Sequence, residues 1–144
     1  MPEDKGSNLP NFRLDNKLAI VTGASTGIGK EIAKAYSEFG ADILIAARTE
    51  SKLVELKAEI IKNGGQCEYM VTDITDLEEI SKLANFTKEL LDSKKRDLVL
   101  VNNAGFGFTK SIGDVTENDF DLITSTHLKG TFFCCQKIGK IMLD

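Results

Sequence analysis

Leu-Ala-Ile-Val-Thr-Gly-Ala-Ser-Thr-Gly-Ile-Gly, residues 18–29, is the stretch of sequence that decides the fold of this chain. Its first four residues, Leu18 to Val21, form an apolar run that is typical of a strand buried on both faces. Three glycines then follow in the spacing Thr-Gly-x-x-x-Gly-x-Gly, at Gly23, Gly27 and Gly29. A glycine turn from a strand into a helix directs backbone N–H groups to one point, where the helix dipole favours an anion. An ordinary glycine-rich turn is the alternative, but strand and helix are both present, so the pattern favours a dinucleotide site.

The residues behind the glycines predict the first helix. Ile28, Ile32 and Tyr36 recur at helical spacing and form its expected apolar stripe. Phe39-Gly40 closes the helix, because glycine suits the left-handed position after a helix end.

Strand and helix patterns alternate along the rest of the chain. Three further strands are predicted, at Asp42–Ala47, Cys67–Thr72 and Asp97–Val101. Helices are predicted between and after them from capping residues and apolar stripes. The capping residues and the inward or apolar positions are Thr49 with Leu53, Leu56 and Ile60; Thr75 and Glu78 with Leu77, Ile80 and Ala84; and Thr116 and Asp119 with Leu128, Phe132 and Cys135.

This alternation predicts an α/β fold, a Rossmann-like doubly wound parallel sheet with four strands in the order 3-2-1-4. Residues 13–144 form the predicted dinucleotide-binding domain, and the polar residues 1–12 are expected to be a flexible tail. Ligands bind such sheets at the carboxyl ends of the strands, here between the first and the fourth.

Composition excludes several functional classes. The 144 residues are 42% hydrophobic and 28% charged, with a net charge of −4, as in an ordinary globular protein. No basic block indicates nucleic acid or an anionic membrane as a partner, and no apolar run is long enough to span a membrane. Cys67, Cys134 and Cys135 match neither a disulfide framework nor a metal site, so reduced thiols in a cytoplasmic protein are expected.

Asn102-Asn103-Ala104-Gly105 is a second specific motif, and it follows the fourth predicted strand. With the glycine pattern, it makes the chain resemble the short-chain dehydrogenase/reductase family from about Phe12 to its end. The resemblance implies a site in which the glycine turn holds the pyrophosphate of a dinucleotide, Asp73 and Ile74 its adenine, and the Asn-Asn-Ala-Gly turn its ribose. The implied cofactor residues are Gly23, Ser25, Thr26, Gly27, Ile28, Gly29, Arg48, Asp73, Ile74, Asn103, Ala104 and Gly105.

Arg48 bears on the choice of cofactor. A guanidinium just past the second strand pairs with a 2′-phosphate, whereas an acidic residue there binds a free 2′-hydroxyl. Ala46 and Ala47 carry no carboxylate, so the sequence favours NADP over NAD. The alternative is an exposed arginine near a helix start, with no ligand.

The catalytic pair of the family is missing from this sequence. The resemblance implies a Tyr-x-x-x-Lys pair after a fifth strand, but the only tyrosines are Tyr36 and Tyr69, followed four residues later by Gly40 and Asp73. The chain is therefore expected to be truncated before the fifth strand and to contain no catalytic residue. Ser111 and Ser125 precede the region of the family's catalytic serine, so that role is not transferred to them.

His127 stands where the family has an asparagine, in Thr-His-Leu-Lys-Gly at residues 126–130. Imidazole can donate and accept a proton, so His127 could replace that asparagine as a proton carrier, or the change could reflect relaxed selection. It is the only histidine and no cysteine pattern accompanies it, so no metal site is predicted.

Two functions follow as hypotheses. The first is NADP-dependent hydride transfer between NADPH and a carbonyl or secondary alcohol by the intact enzyme. The second is a catalytically inert module that binds NADP or a partner subunit. In either case the fourth strand would be an open edge, and we expect self-association through it and the last helix, with its apolar residues Phe132, Phe133, Ile138 and Leu143.

Overall fold

The computed structural model describes residues 11–93 and 95–143. Apart from its last two residues, the predicted tail at 1–12 lies outside the described part of the chain. No helix of the described residues is both long and apolar enough to cross a membrane.

A parallel sheet of four strands forms the centre of the molecule. The strands are β1 (Lys17–Thr22), β2 (Asp42–Ala47), β3 (Cys67–Val71) and β4 (Asp97–Val101). Their spatial order is β3-β2-β1-β4, and each neighbouring pair is parallel. The predicted α/β class and strand order 3-2-1-4 are therefore confirmed. In this order the carboxyl ends of β1 and β4 are adjacent, which is where the sequence predicts the ligand site.

In the part of the chain that the structure describes, five α-helices connect and cover the strands. They are α1 (Gly27–Glu38), α2 (Glu50–Lys62), α3 (Leu77–Asp92), α4 (Glu117–Thr124) and α5 (Thr131–Leu143). A π-helical turn at Ser125–Gly130 joins α4 to α5, and a short 3-10 turn lies at Ile112–Asp114. The sequence pattern predicted one continuous last helix and did not indicate the π-helical turn.

Successive strand residues point to opposite sides of the sheet. Because β1 and β2 are nearly continuous apolar runs, both faces of the sheet are apolar. Ala19 and Val21 of β1 belong to the core under α1 and α2. Leu18 and Ile20 belong to the opposite core, which includes Ile138 of α5 and residues of α3. The predicted stripe of α2 is confirmed, since Leu53, Leu56 and Ile60 are all buried.

The predicted apolar stripe of α1 is right at Ile32 and Tyr36, which pack against the core, and wrong at Ile28. Ile28 was expected on the apolar stripe but is 75% exposed, and the buried residues of α1 are Gly29 and Ala33. Small residues are needed here because α1 starts against the end of β1: an added Cβ on Gly29 would lie 2.7 Å from the Gly23 carbonyl oxygen. Close approach of the backbone thus selects the buried face.

The predicted capping box of α3 is wrong. Asp76, not Thr75, is the N-cap, and its Oδ1 accepts hydrogen bonds from the backbone N–H groups of Glu78 (2.8 Å) and Glu79 (3.4 Å). The aspartate lies one residue nearer to the helix, and Thr75 is already held by Asp73. Thr49 precedes α2 as expected, but its side chain makes no capping hydrogen bond.

The predicted cap of α4 is confirmed. Thr116 and Asp119 form a reciprocal capping box, and the Asp119 carboxylate also pairs with Lys110. These hydrogen bonds, that from Lys110 first, lower the pKa of Asp119 to about 2. The loop after β4 is thereby fastened to the start of α4.

Two of the four apolar α5 residues expected to be left uncovered, Phe133 and Ile138, instead pack inside this chain, Phe133 half-buried against Ile80 and Cys134. Ile138 is fully buried in the core of this chain, whereas Phe132 is 58% and Leu143 88% exposed. Of the cysteines, Cys135 is exposed, while burial raises the pKa of Cys67 to about 12 and of Cys134 to about 11. All three are free thiols.

Candidate functional site

A cavity of about 190 Å³ opens at the carboxyl ends of the strands. It is lined by Gly23, Ser25, Thr26, Ala47, Arg48, Thr49, Thr72, Asp73, Ile74, Thr75, Ala104, Gly105, Phe106 and Thr126. Eight of the twelve predicted cofactor residues are in this lining: Gly23, Ser25, Thr26, Arg48, Asp73, Ile74, Ala104 and Gly105. The other four, Gly27, Ile28, Gly29 and Asn103, lie beside it.

The glycine turn has two distinct parts. Gly23, with φ of +66°, packs on the turn after β4: an added Cβ would lie 2.6 Å from Ala104 Cα. Gly27, with φ of +58°, faces open space, with nothing within 4 Å of an added Cβ. The backbone at Gly27 is therefore accessible to a ligand, while Gly23 permits the contact between two cavity walls.

Helix α1 begins at the cavity. Thr26 is the N-cap residue and also lines the cavity, and its side chain makes no capping hydrogen bond. No acidic residue stands in the first turn of α1 to neutralise the positive end of the helix dipole. This end of the helix is suited to a bound anion.

Asn103 connects the ends of β1 and β4. Its Nδ2 donates to the carbonyl oxygens of Thr22 (3.0 Å) and Gly23 (3.1 Å). The Thr22 hydroxyl accepts from the backbone N–H groups of Asn103 (3.2 Å) and Ala104 (3.1 Å). The side-chain amide of Asn103 thus ties the ends of β1 and β4 together. Both hydrogen bonds that the Asn103 Nδ2 group donates therefore go to the protein backbone.

Asp73 and Ile74 form one wall of the cavity. Asp73 Oδ1 accepts from the backbone N–H (2.9 Å) and hydroxyl (2.8 Å) of Thr75, which fixes the carboxylate in a turn. Ile74 is 6% exposed, and its carbonyl lies 2.7 Å from an added Cβ on Gly130. Asp73 thus presents a carboxylate at the cavity, and Ile74 is mainly packed behind it.

Arg48 is exposed at the cavity directly after β2, the strand that pairs with β3, which Asp73 follows. Within residues 11–93 and 95–143, no acidic side chain lies within ion-pair distance of its guanidinium. The two residues before it, Ala46 and Ala47, are buried. The cavity therefore has a cation at its rim that makes no ion pair with the described residues.

His127 lies at a third side, on the π-helical turn. Its Nε2 is 3.2 Å from the backbone nitrogen and 2.7 Å from the carbonyl oxygen of Phe106. An added Cβ on Gly105 would lie 2.5 Å from His127 Cε1. His127 therefore contacts the outer side of the turn that carries Gly105 and Phe106 into the cavity.

A family model described as short chain dehydrogenase matches residues 17–144. The chain belongs to the short-chain dehydrogenase family. It is 34% identical over 135 residues to the oxidoreductase YxbG of Bacillus subtilis strain 168, a match that covers 92% of this chain and 48% of that protein. The chain spans about half the length of the curated relatives it matches.

Solved structures of short-chain dehydrogenases have the same fold. A short-chain type dehydrogenase/reductase from Mycobacterium marinum is 33% identical with a TM-score of 0.86, covering 93% of this chain and 52% of that one. A metagenomic short-chain oxidoreductase, solved in complex with NADP, is 31% identical with a TM-score of 0.80, covering 90% of this chain and 58% of that one.

Sequence reasoning missed part of the cavity of this short-chain dehydrogenase. The lining residues it did not assign are Ala47, Thr49, Thr72, Thr75, Phe106 and Thr126. Most stand next to an assigned residue at the end of a strand, so the strand-end rule could have found them. The strand-end rule could not have found Thr126, because the π-helical turn brings this residue to the cavity. Among the described residues, no group of three His, Cys, Asp or Glu side chains is placed to hold a metal ion.

Proposed function

We propose that this chain is the cofactor-binding half of an NADP-dependent short-chain dehydrogenase/reductase. The observation that carries the proposal is the exposed Arg48 guanidinium at the cavity, with no acidic partner among the described residues. A guanidinium pairs with a phosphate through charge-assisted hydrogen bonds, which a ribose without the phosphate cannot make. NADP in the related metagenomic oxidoreductase supports the same cofactor here.

The residues of the cavity fit this cofactor. The open backbone at Gly27 and the N-terminus of α1, with Ser25, Thr26, Ile28 and Gly29 around it, would hold the pyrophosphate. Asp73 and Ile74 would bind the adenine, and Ala104 and Gly105 the ribose. Asn103 would contribute through the backbone, because its side chain binds Thr22 and Gly23.

When bound, NADPH supplies a hydride to a carbonyl, and NADP accepts one from a secondary alcohol. The residues of this chain bind and orient that cofactor. The sequence contains no Tyr-x-x-x-Lys, so no residue of this chain is assigned as the proton donor to the substrate oxygen. This absence favours a second candidate function, a nucleotide-binding module that binds NADP without turnover. A cytoplasmic location is part of the proposal, supported by the three free thiols.

The Arg48→Ala substitution tests the choice of cofactor. We expect it to weaken NADPH binding by about 1.5–3 kcal/mol, because a charge-assisted bidentate contact is lost. NADH binding should stay at its wild-type value, since NADH has no 2′-phosphate. Isothermal titration calorimetry of the 144-residue chain measures both.

Lys52→Ala is the matched control for Arg48→Ala. Lys52 is an exposed cation on α2 that does not line the cavity, so its loss changes net charge equally. Equal losses of NADPH and NADH affinity in Arg48→Ala, or the same loss in Lys52→Ala, would contradict the assignment of the 2′-phosphate to Arg48.

Self-association is expected from two exposed features of the described chain. In it, β4 pairs on one side only, with β1, and Phe132 and Leu143 of α5 are exposed. Open strand edges and apolar patches favour pairing between copies. Sedimentation velocity should show a sedimentation coefficient that rises with concentration. Phe132→Lys should reduce the rise, unlike Ile61→Lys, which changes an exposed isoleucine on α2. A monomer at all concentrations would refute the expectation.

A further inference from the structure

We infer that His127 is a positioning residue, which holds the Gly105–Phe106 wall of the cavity in the conformation that binds the cofactor. The inference rests on the proposed function for its effect on NADPH, but the contact itself is a property of this chain. It assigns His127 a structural task at the cofactor site, distinct from the proton-carrier role considered from the sequence.

One imidazole nitrogen of His127 makes a pair of contacts with the cavity wall. Both backbone polar groups of Phe106 lie within hydrogen-bond distance of His127 Nε2, at 3.2 Å for the nitrogen and 2.7 Å for the oxygen. In the Nδ1–H tautomer, Nε2 accepts from the Phe106 N–H, and in the Nε2–H tautomer it donates to the Phe106 carbonyl. Either tautomer therefore joins the π-helical turn to the residue that ends the cavity wall.

The His127 ring also packs sterically against the cavity wall. The imidazole occupies the space beside Gly105, where an added Cβ would lie 2.5 Å from His127 Cε1 and 3.1 Å from Nδ1. Gly105 also lines the cavity. The ring therefore supports the wall from outside at the residue that faces a ligand from inside.

The π-helical turn that carries the ring is itself anchored at the cavity. Within this turn Thr126 lines the cavity, His127 contacts Phe106, and Gly130 packs against the Ile74 carbonyl. Thr126 and Gly130 are buried, so the turn is anchored on both sides of the exposed His127. π-Helical turns are frequent at functional sites. Here the turn contacts the cavity walls at Ile74 and at Gly105–Phe106.

The test compares His127→Ala with His127→Asn. Loss of a hydrogen bond of ordinary strength predicts that His127→Ala weakens NADPH binding roughly three- to tenfold. Asparagine offers both a donor and an acceptor, so His127→Asn should recover most of the affinity. Lys129→Ala, an exposed change in the same turn, should bind NADPH as the wild type does. The melting temperature of each variant reports any general loss of fold.

Hydrogen exchange of the Phe106 amide gives a readout without cofactor. Exchange should accelerate in His127→Ala and return towards the wild-type rate in His127→Asn, with Lys129→Ala unchanged. Gly105→Ala should act like His127→Ala on this amide, because the new Cβ displaces the ring. When Gly105→Ala and His127→Ala are combined, their effects on the exchange rate of the Phe106 amide should be less than additive.

The outcomes separate the inference from the proposed function. Unchanged Phe106 amide exchange together with an unchanged ¹³C shift of the Phe106 carbonyl in His127→Ala overturns the inference, whether or not NADPH binds, because one tautomer protects the amide and the other binds the carbonyl. Faster exchange in His127→Ala with unchanged NADPH affinity overturns the claim that the contact serves the cofactor. If the wild-type chain binds no NADPH but the Phe106 amide exchanges faster in His127→Ala, the contact is supported and the proposed function is refuted.

Discussion

The Gly23→Ala substitution is expected to lower the free energy of unfolding by about 2–5 kcal/mol. A non-glycine residue at φ of +66° costs about 1–2 kcal/mol. The new Cβ would also lie 2.6 Å from Ala104 Cα, and relieving such overpacking costs typically about 1–3 kcal/mol. Urea denaturation followed by circular dichroism measures the sum.

Gly27→Ala is the matched control for Gly23→Ala. Its φ is similar, +58°, but its added Cβ meets nothing within 4 Å. Only the backbone cost of about 1–2 kcal/mol is expected in the absence of ligand. NADPH binding should fall more in Gly27→Ala, because the Cβ enters the space proposed for the pyrophosphate. Equal stability losses in the two variants would show that the contact between Gly23 and Ala104 contributes nothing.

The second large effect is a complete lack of turnover. The purified 144-residue chain is expected to show no NADPH-dependent carbonyl reduction above the rate in buffer. A positioned general acid typically contributes about 10²- to 10⁴-fold to rate, and the sequence has no Tyr-x-x-x-Lys to supply one. Absorbance at the NADPH band, followed over a panel of ketones and aldehydes, measures the rate. A full-length short-chain dehydrogenase in the same buffers is the positive control.

Turnover by the chain would contradict this prediction. If turnover survived purification and vanished in His127→Ala but persisted in His127→Asn, it would support the positioning role of His127. If both variants lost it while still binding NADPH, His127 would be acting as a proton donor in place of the tyrosine.

The fold was largely predictable because its signal is repeated along the chain. Apolar runs at Leu18–Val21 and Asp42–Ala47 are buried on both faces, and their alternation with helices determines a parallel sheet. The strand bounds of Asp97–Val101 agree with the structure residue for residue. These features depend on many residues at once, so single misjudged positions do not change them.

Local details failed where one close contact outweighs the pattern. Ile28 has the right spacing to be buried, but Gly29 and Ala33 take that face because α1 starts against the end of β1. Thr75 has the right spacing for a capping box, but its backbone and hydroxyl both bind Asp73, leaving Asp76 as the cap. Spacing alone does not reveal which of two neighbouring partners a group will choose.

The candidate site was predictable from strand ends and not from the last helical segment. Arg48, Asp73 and Ala104 stand within three residues of a strand end, so parallel topology brings them to one edge of the sheet. The contact of His127 with Phe106 joins residues 21 apart through a π-helical turn that the helical pattern does not indicate. That contact required coordinates.

The most direct test of the account is to titrate the ¹⁵N-labelled 144-residue chain with NADPH and map the amide shifts by NMR. The account predicts saturable shifts around the cavity, in residues 23–27, 48–49, 73–75 and 104–106, and smaller shifts near residue 48 when NADH replaces NADPH. Shifts confined to the opposite end of the sheet, where Gly40, Gly64 and Gly65 line a second cavity, or no shifts at all, would contradict it.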